Sequence, residues 1–114
     1  MTSRRLLRGV ELRYVLTMYL QQHGTQTVRE LVDGLEDQGF GFVGRPSKAV
    51  SDALRWEMSH GRVGRRARGR YGPLEMPRST EYRIHRRVLA LRAEAAALAG
   101  ADDDMFWDRK AGVG

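Results

Sequence analysis

A mainly α fold carrying one small β-hairpin is what this chain predicts, on three observations. Four stretches repeat apolar residues at three- and four-residue steps, the spacing of a helix face. One stretch, residues 62–73, instead sets a basic run between Val63 and Tyr71, with Gly69 for a tight reversal. The balance of 41% hydrophobic and 30% charged residues over 114 positions suits one small globular domain. The expected divisions are a basic arm over 1–5, a helical body with its hairpin over 6–77, a C-terminal helix over 78–99 and a flexible tail over 100–114.

In the arm, Arg4 and Arg5 are expected to be unstructured, or else to touch phosphate or a minor groove. The first helix is predicted over residues 6–23, ended by Gly24. Leu12, Val15, Leu16, Tyr19 and Leu20 form one apolar stripe, and Leu7, Tyr14 and Met18 a second on roughly the opposite side. A helix apolar on two sides is sandwiched between layers. One layer is the core; the other is the C-terminal helix or a second subunit.

Residues 25–27 suit a short strand. Thr27-Val28-Arg29-Glu30 then matches a capping box and opens a second helix over about 28–38, with Val28, Leu31, Val32 and Leu35 inward. In the glycine-rich connection that follows, Phe40 and Phe42 read as loop anchors in the core. A third helix is predicted over 46–60, with Ser47 as its N-cap and Gly61 as its stop. Val50, Ala53, Leu54 and Met58 share its inner face. Ser47, Lys48, Ser51, Asp52, Arg55 and Ser59 fall opposite, and Trp56 sits on the shoulder with a packing role. The hairpin follows, and Pro73 and Pro77 end it.

A fourth helix is predicted from Ser79 or Thr80 to about residue 99. Its Ile84, Val88, Leu91, Ala95 and Leu98 are spaced as a coiled-coil seam. Two readings of that seam stay open. It packs on Leu7, Tyr14 and Met18 within one chain, or those eight residues build a homodimer interface, which is the favoured expectation because symmetric pairing strengthens a small binder. Arg83, Arg86, Arg87 and Arg92 read as a solvated face. In the tail, Asp102 to Asp104 precede Met105, Phe106 and Trp107, which are expected to be disordered or to dock on a partner.

The net charge is +6 and the pI about 10.5, which favours an anionic partner. The excess is local. Residues 45–73 hold eight cations (Arg45, Lys48, Arg55, Arg62, Arg65, Arg66, Arg68 and Arg70) against Asp52 and Glu57, an excess equal to that of the whole chain. Such clustering is an electrostatic footprint for nucleic acid.

Helix, short strand, helix, turn, helix and hairpin in that order resemble winged helix-turn-helix DNA-binding domains. The nearest resemblance is to bacterial transcription-factor and HARE-type winged helices, whose wing follows a G-x-V-x-R … R-G-R-Y pattern. Gly61, Val63, Arg65 and Arg68-Gly69-Arg70-Tyr71 carry the match, and the resemblance spans roughly residues 8–73. A similar basic wing occurs in antitoxins of abortive-infection systems that repress their own operons. The resemblance implies a winged helix-turn-helix plus a C-terminal helix, and double-stranded DNA as partner. Ser47, Lys48, Ser51, Asp52, Arg55 and Ser59 would face the major groove, with Arg55 as the bidentate contact to guanine. Arg62, Arg65, Arg66, Arg68 and Arg70 in the wing would hold phosphate or probe the minor groove, and Arg45 would also contact DNA. Two other readings fit the same residues: an architectural DNA coat with little sequence choice, and a winged helix that binds an acidic protein.

Other chemistry has little footing. Cysteine is absent, which removes thiolate ligands and nucleophiles and suits a reducing compartment. His23, His60 and His85 are scattered and lack ligand-like neighbours. The glycines around residues 39–44 lack the Lys-Ser/Thr of a phosphate loop. No catalytic residue, metal or cofactor is expected. Neither a membrane span nor a secretory leader is legible, so a cytoplasmic, nucleoid-associated location is expected.

Overall fold

The computed structural model describes the backbone of residues 3–111 and the side chains of residues 3–100. The elements in order are β1 (Arg5–Leu7), α1 (Gly9–His23), β2 (Gln26–Thr27), α2 (Val28–Asp37), β3 (Phe40–Phe42), α3 (Pro46–Ser59), β4 (Val63–Ala67), β5 (Arg70–Pro73) and α4 (Arg78–Ala111). The fold is mainly helical with a small antiparallel sheet ordered β2-β5-β4, in which β4 and β5 form the hairpin and β2 pairs with β5. Among the described residues no helix is long and apolar enough to cross a membrane.

The chain's start departs from expectation. Residues 5–7 are a strand parallel to β3, with Arg5 opposite Phe40 and Leu7 opposite Phe42, where the arm was expected to end and the first helix to begin. Gly9 explains the break: its φ of 58° turns the chain from strand to helix in a region that side-chain-bearing residues rarely enter. Nor is the arm loose. Arg4 Nη1 donates to the carbonyls of Glu36 (2.8 Å) and Phe40 (3.1 Å). Arg5 forms ion pairs with Glu11 at 3.0 Å and Glu94 at 3.4 Å. Both guanidiniums serve the fold.

The Thr27 capping box forms as expected. Thr27 Oγ1 accepts from the Glu30 N–H at 3.1 Å, and Glu30 Oε1 accepts from the Thr27 N–H at 2.9 Å. Helix α3 begins two residues earlier than Ser47 as N-cap suggested. Arg45 is its N-cap and Pro46 its first residue, because proline presets the helical φ and has no N–H to leave unpaired. Phe40 is an anchor in the core, fully buried, but on β3 rather than in a loop.

Helix α1 is sandwiched. Its Leu16 and Leu20 pack with Leu31, Val32, Val50, Leu54 and Val63 from α2, α3 and β4. Its Leu12, Val15 and Met18 pack with Leu7, Phe40, Ile84, Val88, Leu91 and Ala95. The second group corrects the dimer expectation. Leu7, Met18, Ile84, Val88, Leu91 and Ala95 are all 3% exposed or less within a single chain, and Tyr14 packs against them. The seam is covered by Leu7 of β1 and by Met18, Leu12 and Val15 of α1, the last two expected on the opposite stripe, so these residues offer no surface to another subunit. Only Leu98, 36% exposed, stays outside.

Helix α4 continues through Ala111, beyond the break expected near residue 100. The expectation for Met105, Phe106 and Trp107 concerns side chains outside the described ones.

Candidate nucleic-acid interface

Helix α3 buries Val50, Ala53 and Leu54 and turns Ser47, Lys48, Asp52, Arg55 and Ser59 to solvent, with Ser51 half-buried. The polar row is thus accessible, as its spacing demands. Asp52 organises the middle of it. Lys48 Nζ lies 2.8 Å from one carboxylate oxygen and Arg55 Nη1 3.7 Å from the other. The hydrogen bond from Lys48, helped by both cationic charges, holds the Asp52 carboxyl below its ordinary range. Exposed pairs at this spacing are weak, because water and salt screen them. Lys48 and Arg55 can therefore exchange Asp52 for another anion at little cost. Ser59 is less available, because its Oγ donates to the carbonyl of Trp56 at 2.7 Å.

The hairpin presents Arg65, Arg66, Arg68 and Arg70, all exposed. Ala67 pairs with Arg70, leaving Arg68 and Gly69 as a two-residue loop in which Gly69 takes φ 71°. The register shifts between Arg65 and Ala67. Arg66 sits at that irregularity, and its guanidinium donates to the Pro73 carbonyl at 2.6 Å. Arg70 contributes to the lowering of the Glu30 carboxyl, after the two hydrogen bonds with Thr27. Arg65 and Arg68 have no hydrogen bond or ion pair with a described residue, and Arg68 stands at the tip.

Arg62 does not join this exposed group. Its Nε and Nη2 reach the two carboxylate oxygens of Glu57 at 2.6 and 3.1 Å. That hydrogen bond pushes the Arg62 pKa up, against a smaller opposing effect of burial. Assigned from sequence to phosphate, Arg62 is instead committed to an internal carboxylate. Arg45, as N-cap of α3, remains exposed.

Glu57 has no place among the residues that the sequence singles out. It is fully buried, and Arg13 of α1 approaches it at 3.7 Å. A signal for it exists: Glu57 stands four residues after Ala53 and three after Leu54, in phase with the apolar face. Trp56 also does more than pack. It is 37% exposed, with the Arg13 guanidinium 3.9 Å and that of Arg62 5.1 Å from its ring centroid. His60 stacks on it at 3.6 Å. Among the described residues no group of His, Asp and Glu side chains is placed to hold a metal ion. No protein-family model, curated protein or solved structure matches the chain.

Proposed function

We propose that this chain is a winged-helix binder of duplex DNA, a regulator rather than an enzyme. In this reading α3 lies in the major groove and the β4–β5 hairpin is a wing on the backbone or minor groove. One observation carries it. An exposed polar helix face leads, through a short turn, into a hairpin whose Arg65 and Arg68 have no partner among the described residues. Cations left unpaired beside a groove-sized helix suit a polyanion. The order α1, β2, α2, β3, α3, β4, β5, with β2 paired to β5, supports the reading, with β3 standing where a turn was expected.

Ser47, Lys48, Ser51, Asp52 and Arg55 are the base-facing group, and Arg65, Arg68 and Arg70 the main phosphate group. The homodimer expected from the seam has lost its surface, so the reading takes one chain as the binding unit. A mass measurement in solution checks this, and a dimer would have to form through other residues. Association with the nucleoid follows only if duplex DNA is the partner.

The test selects duplexes from a random pool and measures their affinity across a salt series. Log affinity should fall linearly with log salt. Each phosphate that Arg65→Ala or Arg68→Ala leaves without its cation should flatten the slope by about 0.9. Arg55→Ala should relax sequence preference by about 1–3 kcal/mol at one base pair. Equal affinity for selected and random duplexes would move the reading to an architectural coat. Absence of duplex binding at low salt would end it in favour of an acidic protein partner.

A further inference from the structure

Glu57 is the one buried carboxylate among the described side chains, and both α1 and the turn between α3 and β4 reach it. Oε2 accepts from Arg62 Nε at 2.6 Å and lies 3.3 Å from Thr17 Oγ1 of α1, whose one hydroxyl proton has the Arg13 carbonyl nearer at 2.7 Å. Oε1 accepts from Arg62 Nη2 at 3.1 Å and lies 3.7 Å from Arg13 Nε of α1. The backbone repeats the link. The Arg62 N–H donates to the Glu57 carbonyl at 3.0 Å, and the Arg62 carbonyl accepts from the Leu74 N–H at 3.1 Å, closing the root of the hairpin. Among the described residues no buried side-chain polar atom is left without a partner.

A buried ion pair is a poor source of stability, because desolvation opposes the attraction and a well-packed apolar pair does as well or better. What the fork of Arg62 on Glu57 adds is direction: two parallel bonds fix an angle as well as a distance. That angle is the one at which the chain leaves α3 and enters β4. Arg62 and Arg13 also flank Trp56, whose ring borders the polar face of α3.

We propose that Glu57 is a positioning residue for the candidate interface, setting the hairpin against α3 so that Arg65 and Arg68 meet the same partner as Lys48 and Arg55. The assignment rests on the duplex-binding reading for its consequence, but not for its geometry. Glu57 itself touches no ligand; it acts through Arg62.

The full-length chain carrying Glu57→Leu together with Arg62→Leu tests it. This pair of changes removes one anion and one cation, so net charge stays at +6. Two readouts apply: amide hydrogen exchange over residues 63–73 in the free protein, and the salt dependence of binding to a duplex selected by the parent chain. Exchange should rise in the hairpin while α1 and α4 stay protected. Affinity should drop roughly tenfold, and the salt slope should flatten by about 0.9 for each phosphate the wing no longer reaches, although every hairpin arginine is intact. Parent-like hairpin exchange with an unchanged salt slope would overturn the proposal. Should the double variant fold poorly, Arg62→Lys, which keeps the net charge at +6 but loses the planar fork, is read the same way, with a smaller change expected. If the parent chain binds no duplex, the duplex reading fails alone, and hairpin exchange still decides whether Glu57 positions the wing.

Discussion

Replacing Leu91 by alanine tests whether α4 belongs to the fold or to an assembly. Leu91 is 0% exposed and packs in the cluster formed by Leu7, Leu12, Val15, Met18, Phe40, Ile84, Val88 and Ala95. A leucine truncated at such a site costs about 2–5 kcal/mol, through reduced burial and the cavity left behind. A domain of this size is stable by only about 5–15 kcal/mol in total. Taking about 3 kcal/mol, and a melting shift of about 4–8 °C per kcal/mol, Leu91→Ala should lower Tm by roughly 12–24 °C. The assay is thermal unfolding by circular dichroism at two protein concentrations a hundredfold apart. The drop should be the same at both, because every partner of Leu91 lies in its own chain. The reasoning fails if the parent chain is a dimer by mass and Leu91→Ala gives a folded monomer of unchanged Tm. That outcome would mean the seam faces another subunit.

Three further outcomes follow from the turn chemistry. Thr27→Ala removes an N-cap and should cost about 1 kcal/mol, read as a shift in denaturant midpoint. The capping Glu30 has its pKa lowered by its hydrogen bonds with Thr27 and by the charge of Arg70. A lowered carboxyl adds stability above its unfolded pKa and loses it as pH falls through the folded value. Amide protection in the first turn of α2 should therefore hold at neutral pH and decline on the acid side of the ordinary glutamate range; Glu30→Gln should abolish that decline. At the hairpin tip, Gly69 takes φ 71° with open space where a Cβ would be, so Gly69→Ala meets only backbone strain. It should cost about 1–2 kcal/mol, confined to faster amide exchange in β4 and β5.

The helices are legible in the sequence because local rules agree with tertiary needs. Thr27 and Glu30 cap α2 where the motif places them, and Gly61 follows the end of α3 with φ 74°. The hairpin is legible for the same reason. What escapes is pairing between distant segments. Residues 5–7 carry the arginine and leucines of a helix start, yet they form a parallel strand with residues 40–42, thirty-five positions away. A three-residue strand has too little period to betray itself. The seam of α4 shows the complementary failure. Its spacing says that something apolar covers it, but not which copy of the chain supplies the cover.

The arginines show most clearly what a sequence count of charge leaves open. Eight cations between residues 45 and 73 form a cluster on paper. In the fold they separate by partner. Arg62 belongs to Glu57, Arg66 leans on the Pro73 carbonyl, and Arg55 shares Asp52 with Lys48. Arg45, Arg65, Arg68 and Arg70 remain without such partners among the described residues. The bond to Glu57 is charge-assisted, bidentate and sheltered, whereas Lys48 and Arg55 hold exposed single contacts that water and salt already weaken. An arriving anion would therefore recruit Lys48, Arg55, Arg65, Arg68 and Arg70 well before it displaced Arg62. Affinity and sequence choice should respond to those five side chains, and Arg62 should matter through the angle it holds. Arg62→Lys, which keeps the charge but loses the planar fork, separates the two roles. It should disturb hairpin exchange as strongly as it disturbs binding, whereas Arg68→Lys should disturb neither.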